Sequence, residues 1–410
     1  MKRKVGLTVL MVLMFFMLAS TGFAASTEDL ERKLDLLSDE VDDLKSRGFG
    51  GGTTEYNRVT VHGYGEMHFQ NQTQKHGNAQ VDNHRFVIGV HAVLADWIHL
   101  NAEIDFEHAA QTMEYEFGYL DFLLDPALNV RAGVILAPIG FLNEYHEPPL
   151  FWTTERPLLQ QKLIPTSWNQ AGAGIFGTPT DGINYRLYFM NSLQSISNST
   201  TTGQNSEFSS SGIRGGRSQL SKVKSNDFSV LGRVEFSKLY PGLQLGFSLV
   251  HGDTTHGLIN EGGTMTLLEA DIRYRKGWFD MNASIVNTRV EDAAALNTFC
   301  DTAGNSNQCD TGIAKNNFGF NVQAGAHLPQ LMGWKTSHDI VAHAMFERIR
   351  TQDEMPSGTA PDRSKNYNNY HFGVAYLPIP AVSLKLDHLH QVTEANTSSD
   401  TIYLGMAYMY

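Results

Sequence analysis

A period of two limits this chain more than any other feature. From residue 56 to the end, short segments alternate apolar and polar residues. In VTVHGYGEMHF, Val59, Val61, Met67 and Phe69 share one face, with Thr60, His62, Glu66 and His68 on the other. In WIHLNAEIDFEH, Ile98, Leu100, Ala102, Ile104 and Phe106 alternate with His99, Asn101, Glu103, Asp105 and Glu107. Successive side chains of a strand point to opposite sides, so these segments read as strands with one greasy and one wet face. About sixteen occur, near residues 58–70, 84–95, 97–108, 113–124, 128–136, 170–177, 183–190, 227–237, 242–251, 264–275, 277–288, 316–328, 338–349, 367–377, 381–390 and 401–410. Each has about the nine to eleven residues that a tilted membrane strand needs, sometimes more.

The connections alternate in length, except that 108–112 is short where a long loop is expected and 329–337 somewhat long where a turn is expected. Short ones include residue 96, 125–127, 178–181, 276 and 378–380; long ones include 71–83, 137–169, 191–226, 252–263, 287–315, 350–366 and 391–400. Long loops on one rim and short turns on the other are the arrangement of an outer-membrane barrel. The last segment carries Ile402, Leu404, Met406, Tyr408 and Tyr410 on one face, and aromatics recur at segment ends, among them Trp97, Tyr240 and Trp278. Such residues suit the two membrane interfaces. The expected fold class is therefore all-β, a transmembrane antiparallel β-barrel of about 16 strands over residues 56–410. Its expected home is the bacterial outer membrane, in contact with lipid and lipopolysaccharide.

The N-terminus has a different character. Lys2, Arg3 and Lys4 precede an apolar run and small residues ending at Ala24, which reads as a signal peptide over residues 1–24. Over residues 25–47, Leu30, Leu34, Leu37, Val41 and Leu44 form a heptad pattern, expected to be a periplasmic coiled-coil helix that joins copies of the chain as a homotrimer. Residues 48–55 read as a Gly-rich linker. Formal net charge is -12, and loss of the basic leader makes it more negative, which excludes nucleic acid as a natural partner.

Residues 137–168, APIGFLNEYHEPPLFWTTERPLLQQKLIPTSW, break the alternation. The stretch is far longer than the usual connection of about 4–6 residues. Its prolines prevent strand pairing, and Phe141, Leu150, Phe151, Trp152, Leu158 and Leu159 need a surface to pack on. It is expected to fold into the barrel and narrow it; the other reading is an Ω-loop over the mouth. The candidate constriction comprises Glu144, His146, Glu147, Glu155, Arg156 and Lys162 of this loop, with Arg131, Arg186 and Arg233 from the wall.

Cys300 and Cys309 lie in CDTAGNSNQC, a spacing that suits a disulfide closing a small loop in an oxidising compartment. No His lies between or beside them, and no metal or other cofactor is assigned. His388 and His390 share a strand face, a pattern that strand geometry produces by chance. The chain shows no nucleophile motif and no haem-attachment motif, so no catalytic residues are expected and the chain reads as a non-enzyme.

The run LAPIGFLNEYHEPPLFWTTERP, followed by IPTSWNQAGAGIFG, resembles the loop and following strand of the phosphate-selective porin O/P family, most strongly over residues 134–177. The N-terminal heptads also look like that family. The resemblance implies a trimeric sixteen-strand barrel with an inward third loop, and an outer-membrane porin giving passive diffusion of small hydrophilic solutes or ions. Phosphate-selective members carry a ladder of pore arginines. Here the inward bases Arg85, Arg131, Arg186, Arg233, Arg273 and Arg275 face at least as many inward acids: Glu66, Glu103, Asp105, Glu107, Glu235, Glu269, Asp271, Glu347 and Asp387. A second reading is a barrel sheath for a partner such as an electron-transfer cytochrome, which requires the 137–168 loop to stay out of the lumen.

Overall fold

The structure is a computed structural model that describes residues 58–73, 78–197, 207–218, 220, 223–260, 262–302 and 309–410. The expected leader, coiled-coil helix and linker lie outside the described residues. The first eight strands are β1 (Val59–Gln72), β2 (Ala79–Ala95), β3 (Ile98–Glu107), β4 (Thr112–Asp125), β5 (Leu128–Leu136), β6 (Asn169–Thr180), β7 (Ile183–Asn191) and β8 (Phe228–Phe236). The others are β9 (Leu243–Gly252), β10 (Met265–Lys276), β11 (Phe279–Val290), β12 (Asn316–His327), β13 (Asp339–Glu354), β14 (Asn366–Ile379), β15 (Val382–Thr393) and β16 (Ser398–Met409). Each strand pairs with its neighbours in sequence, and β1 pairs antiparallel with β16, which closes the barrel. Closure leaves no unpaired sheet edge, so strands can stand in lipid without orphaned backbone groups.

The sixteen segments of the alternation match the sixteen strands, but their ends differ. Residues 71–83 and 391–400 were expected as long loops. Instead β1 runs to Gln72 and β2 starts at Ala79, while β15 runs to Thr393 and β16 starts at Ser398. β13 also runs on to Glu354. Polar side chains pair across these extensions: Gln70 donates to Gln80 at 2.8 Å, and His390 lies 2.8 Å from Asp400. Such cross-strand polar pairs support strand pairing at the long-loop rim.

Large apolar side chains stand exposed on the outer face, among them Val61, Met67, Ile104, Phe189, Leu268 and Phe372. Trp97, Tyr240, Trp278, Trp334 and Tyr410 are exposed near the short-turn rim. Among the described residues no helix is long and apolar enough to cross a membrane. A closed barrel with an apolar outer band and aromatic ends belongs in the bacterial outer membrane.

The inner face is not uniformly wet, contrary to the simple alternation. Towards the long-loop rim, Tyr188, Met190, Leu231, Val250, Leu267, Val286, Val290 and Ile349 point inward and are buried in one apolar cluster. That cluster takes in Ile139, Leu159, Leu163 and Trp168 of the 137–168 loop, Leu193, Phe208 and Ile213 of the next long loop, and Leu296, Cys300 and Ile313 of the loop after β11. Loops that tuck inward bring their own apolar residues, so this part of the wall meets protein instead of water.

Cys300 ends a helix over Ala293–Asp301 and is bonded to Cys309, with Cα atoms 5.3 Å apart. Because Cys300 is buried in the cluster, the bond pins its loop to the lumen's apolar lining. Replacing both cysteines by Ser is expected to make this loop more open to protease while the sixteen strands and conductance are retained. Unreduced protein taken from cells should show no free thiol by mass spectrometry; two free thiols would refute the bond.

Candidate functional site

Residues 137–168 touch the inner wall on every side. The backbone N–H of Gly140 donates to Ser248 Oγ of β9 at 3.2 Å, and that of Leu159 to Glu347 Oε1 of β13 at 3.1 Å. Thr154 donates through both its N–H and its hydroxyl to Asp387 of β15. Lys385 Nζ of the same strand donates to the carbonyls of Pro148 and Thr153, at 2.7 and 2.9 Å. Glu144 meets Arg186 of β7 at 3.0 Å, and Glu155 meets His68 of β1 at 2.9 Å. The wall leaves room for the loop: a Cβ on Gly325 would lie 2.6 Å from the Trp152 ring, and one on Gly405 2.8 Å from the Thr154 methyl. The loop is therefore a fixed crosspiece, held by buried charges and seated against bare backbone.

With the apolar cluster filling the β5–β13 side, polar space is left between the loop and β1–β4. A cavity of about 140 Å³ lies there, enough for several waters. Its wall side carries Glu66, Asp105, Glu107 and Glu116, with Arg85 among them at 2.9 Å from Glu66 and 3.6 Å from both Asp105 and Glu107. Its other side carries Glu155 and Arg156 of this loop together with Arg214 and Arg217 of the long loop after β7. Arg156 donates to Ser167 Oγ at 3.2 Å, and Arg217 to the Thr166 carbonyl. Burial holds the Arg214 guanidinium below its usual value, at about 10, and the like charges of Arg217 and Arg156 add to the shift. The cavity thus has an acid-rich face and a cationic face. In a space poor in water such a charge separation acts strongly on dipolar and ionic solutes.

The residues chosen from sequence fall into separate groups. Glu155 and Arg156 line the cavity. His146 lies beside Glu116, at 2.9 Å. Glu144 and Arg186 join Glu235, and Arg233 extends this network to Glu269 and Asp271. Glu147 is partly buried, and its Oε2 has no hydrogen-bond partner. Arg131 is held by Asp121 at 2.7 Å and stacks on Tyr119, away from the cavity. Lys162 lies towards the outer loops; burial, then the charges of Arg214 and Lys365, hold its amine below the usual value. His388 and His390 share Asp400, at 3.1 and 2.8 Å, with His390 against the outward Tyr370 ring. Sequence reasoning did not single out Glu116, Arg214 or Arg217. The only trace of the last two is the run RGGR in an otherwise Gly- and Ser-rich loop.

No family model matches the chain. An uncharacterized protein of Aquifex aeolicus (strain VF5) is 27% identical over 364 residues, covering 86% of this chain and 80% of that one. Among solved structures, OmpF of Salmonella typhi in complex with daunomycin superposes with a TM-score of 0.54 at 10% identity, over 86% of this chain and 97% of that one. The anion-selective porin of Comamonas acidovorans gives 0.52 at 11% identity, over 86% and 99%. The fold is that of the outer-membrane porins. The trimer form of OmpT, an outer membrane protein of Vibrio cholerae, matches equally well, with a TM-score of 0.53 at 8% identity over 86% of this chain and 99% of that one. Identities this low speak for the porin fold and not for any one solute.

Proposed function

We propose that this barrel is a passive diffusion channel for small hydrophilic solutes or ions, and that residues 137–168 with the β1–β4 wall form its filter. The polar cavity between an acid-rich wall and the Arg156, Arg214 and Arg217 cluster is the observation that carries the reading. A sheath around an electron-transfer partner needs an open bore, and a loop fastened across the lumen at Glu347, Lys385 and Asp387 speaks against it. The heptads of residues 25–47 and the trimer form of the Vibrio relative support a homotrimer. Kinship with the phosphate-selective porin O/P family rests on the loop motif. Phosphate selectivity is not part of the proposal, because the wall arginines are answered by carboxylates: Arg85 by Glu66, Arg131 by Asp121, Arg186 by Glu235 and Arg233 by Asp271.

Reversal potentials in a planar bilayer under a salt gradient test the filter. Replacing Arg156, Arg214 and Arg217 together by Gln should move selectivity towards cations, since the acid-rich wall then stands unopposed. Replacing Glu107 and Glu155 by Gln should move it towards anions. Charges outside the narrow part are screened over about 8–10 Å at ordinary salt. Parental reversal potentials in both variants would place the filter elsewhere.

A further inference from the structure

We propose that Glu103, Glu116 and His146 form a binding site for a divalent transition-metal ion that fastens the 137–168 loop to the barrel wall. The site shares Glu116 with the acid-rich wall of the proposed filter and has no residue of its cationic face, and it requires only that the loop stand inside the barrel. Glu103 comes from β3, Glu116 from β4 and His146 from the loop. One ligand atom of each lies within 4.8 Å of the others. The three residues are 5%, 3% and 3% exposed.

Hydrogen bonding fixes what the imidazole presents. His146 Nδ1 lies 3.0 Å from the Asn143 carbonyl oxygen, which can only accept, so Nδ1 carries the proton. In the neutral ring Nε2 then holds a lone pair. That nitrogen sits 2.9 Å from Glu116 Oε1, another acceptor. Neither atom, nor Glu103 Oε2, meets the geometry of a hydrogen bond with any described protein atom. Tyr64 Oη reaches the other Glu116 oxygen at 3.3 Å, which leaves Oε1 turned to the imidazole. Three buried acceptors converge on one point with no donor among them. A cation at that point supplies the missing partner. A ring N–H held by a backbone carbonyl is also the outer-shell arrangement usual for a metal-bound histidine.

The competing account is a protonated His146 paired with Glu116. It leaves Glu103 Oε2 unanswered, and the other nearby cation, Arg85, is already shared among Glu66, Asp105 and Glu107, so two buried carboxylates stay underbalanced at a desolvation cost. A divalent ion balances both carboxylates. The donor set, one imidazole nitrogen and two carboxylate oxygens, suits Zn²⁺ or Mn²⁺ better than the all-oxygen preference of Ca²⁺ and Mg²⁺.

The test uses full-length protein purified in detergent, stripped with chelator, loaded with Zn²⁺ and freed of excess by gel filtration, with metal counted by mass spectrometry. Asp82, His84 and His108 cluster at the long-loop rim and offer a second set of donors. The background is therefore the triple variant D82N/H84Q/H108Q. In it, one Zn²⁺ per chain is expected. Adding Glu116→Gln or, separately, Glu103→Gln should remove that ion, with folding checked by strand content and by the heat-dependent shift on gels. Co²⁺ in place of Zn²⁺ should give visible bands in the background that vanish in His146→Gln. No retained metal in the background, or full retention in all three single changes, overturns the proposal in favour of a plain ion pair. Conductance of the unmutated protein, stripped and then exposed to Zn²⁺, separates the two readings: a conducting, ion-selective channel that retains no metal removes this site and leaves the channel standing.

Discussion

Deleting residues 143–161 is expected to raise single-channel conductance severalfold and to admit solutes that the parent excludes. The deletion takes away the crosspiece between the Asn143 turn and the Leu163 end, including Phe151, Trp152, Glu155 and Arg156. It leaves every strand pair intact, because the barrel's ladder does not run through this loop. The charged groups that hold the loop, Glu347, Lys385 and Asp387, lose their loop partners, although Glu347 keeps Asn369 and His371 of the wall. Buried in a dry site they would be costly, but an emptied lumen fills with water and hydrates them. The barrel should therefore stay folded while its bore widens where the crosspiece stood, with the inward parts of the two later long loops still filling the side against β7–β13. Strand content and the heat-dependent gel shift check folding, and conductance in a planar bilayer reads the bore. Unchanged conductance in a folded deletion variant would mean that the loop does not narrow the path, and the filter reading would fall with it.

The fold was legible because a barrel writes itself in period two. Ile98 to Glu107 shows it plainly: the apolar set faces lipid, and His99, Asn101, Glu103, Asp105 and Glu107 face inward. The rule weakens where both faces are apolar. Val250 and Val286 are as greasy as the outward residues beside them, yet they face inward, because loops pack on them. Alternation also fails at a bulge. The β3–β4 register shifts between Glu103 and Ile104, so that Glu103 opposes Phe117 while Ile104 opposes Tyr115. The extra residue is Glu116, which strict counting of β4 gives no reason to place beside His146. Strand endings escape the alternation for a third reason: β1 ends in Gln70, Asn71 and Gln72, polar on both faces, and pairing such as Gln70 with Gln80 leaves no hydrophobic trace. As for the site, the sequence named loop residues but not their neighbours, because periodicity assigns a face and says nothing of what lies opposite across a lumen.

Replacing Arg233 by Met is expected to cost about 3–5 kcal/mol of stability, the range for removing one partner of a buried charge cluster. The Arg233 side chain is fully buried and contacts three carboxylates: Glu235 at 3.0 Å, Glu269 at 3.3 Å and Asp271 at 2.7 Å. It also donates to Ser248 Oγ at 2.9 Å. A Cβ on Gly246 would stand 2.3 Å from Arg233 Nη2 and 2.4 Å from Asp271 Oδ2, so the wall is bare where the guanidinium and the Asp271 carboxylate meet. Even with the arginine in place, Glu269 Oε1 and Asp271 Oδ1 lack hydrogen-bond partners. Without it, Arg186 still answers Glu235 and Glu144, but Glu269 and Asp271 face each other across a site that water reaches poorly. A lysine is a poor substitute, since one ammonium cannot offer the planar fork that reaches several carboxylates at once. The physical cause is checked by compensation: adding Glu269→Gln and Asp271→Asn to Arg233→Met should recover much of the loss, because the unpaired charges are then gone. Denaturant midpoints in detergent, read by loss of strand signal, measure each variant. A parental midpoint for Arg233→Met, or no recovery in the triple variant, would show that the cluster is hydrated and that the arginine does not hold the wall together.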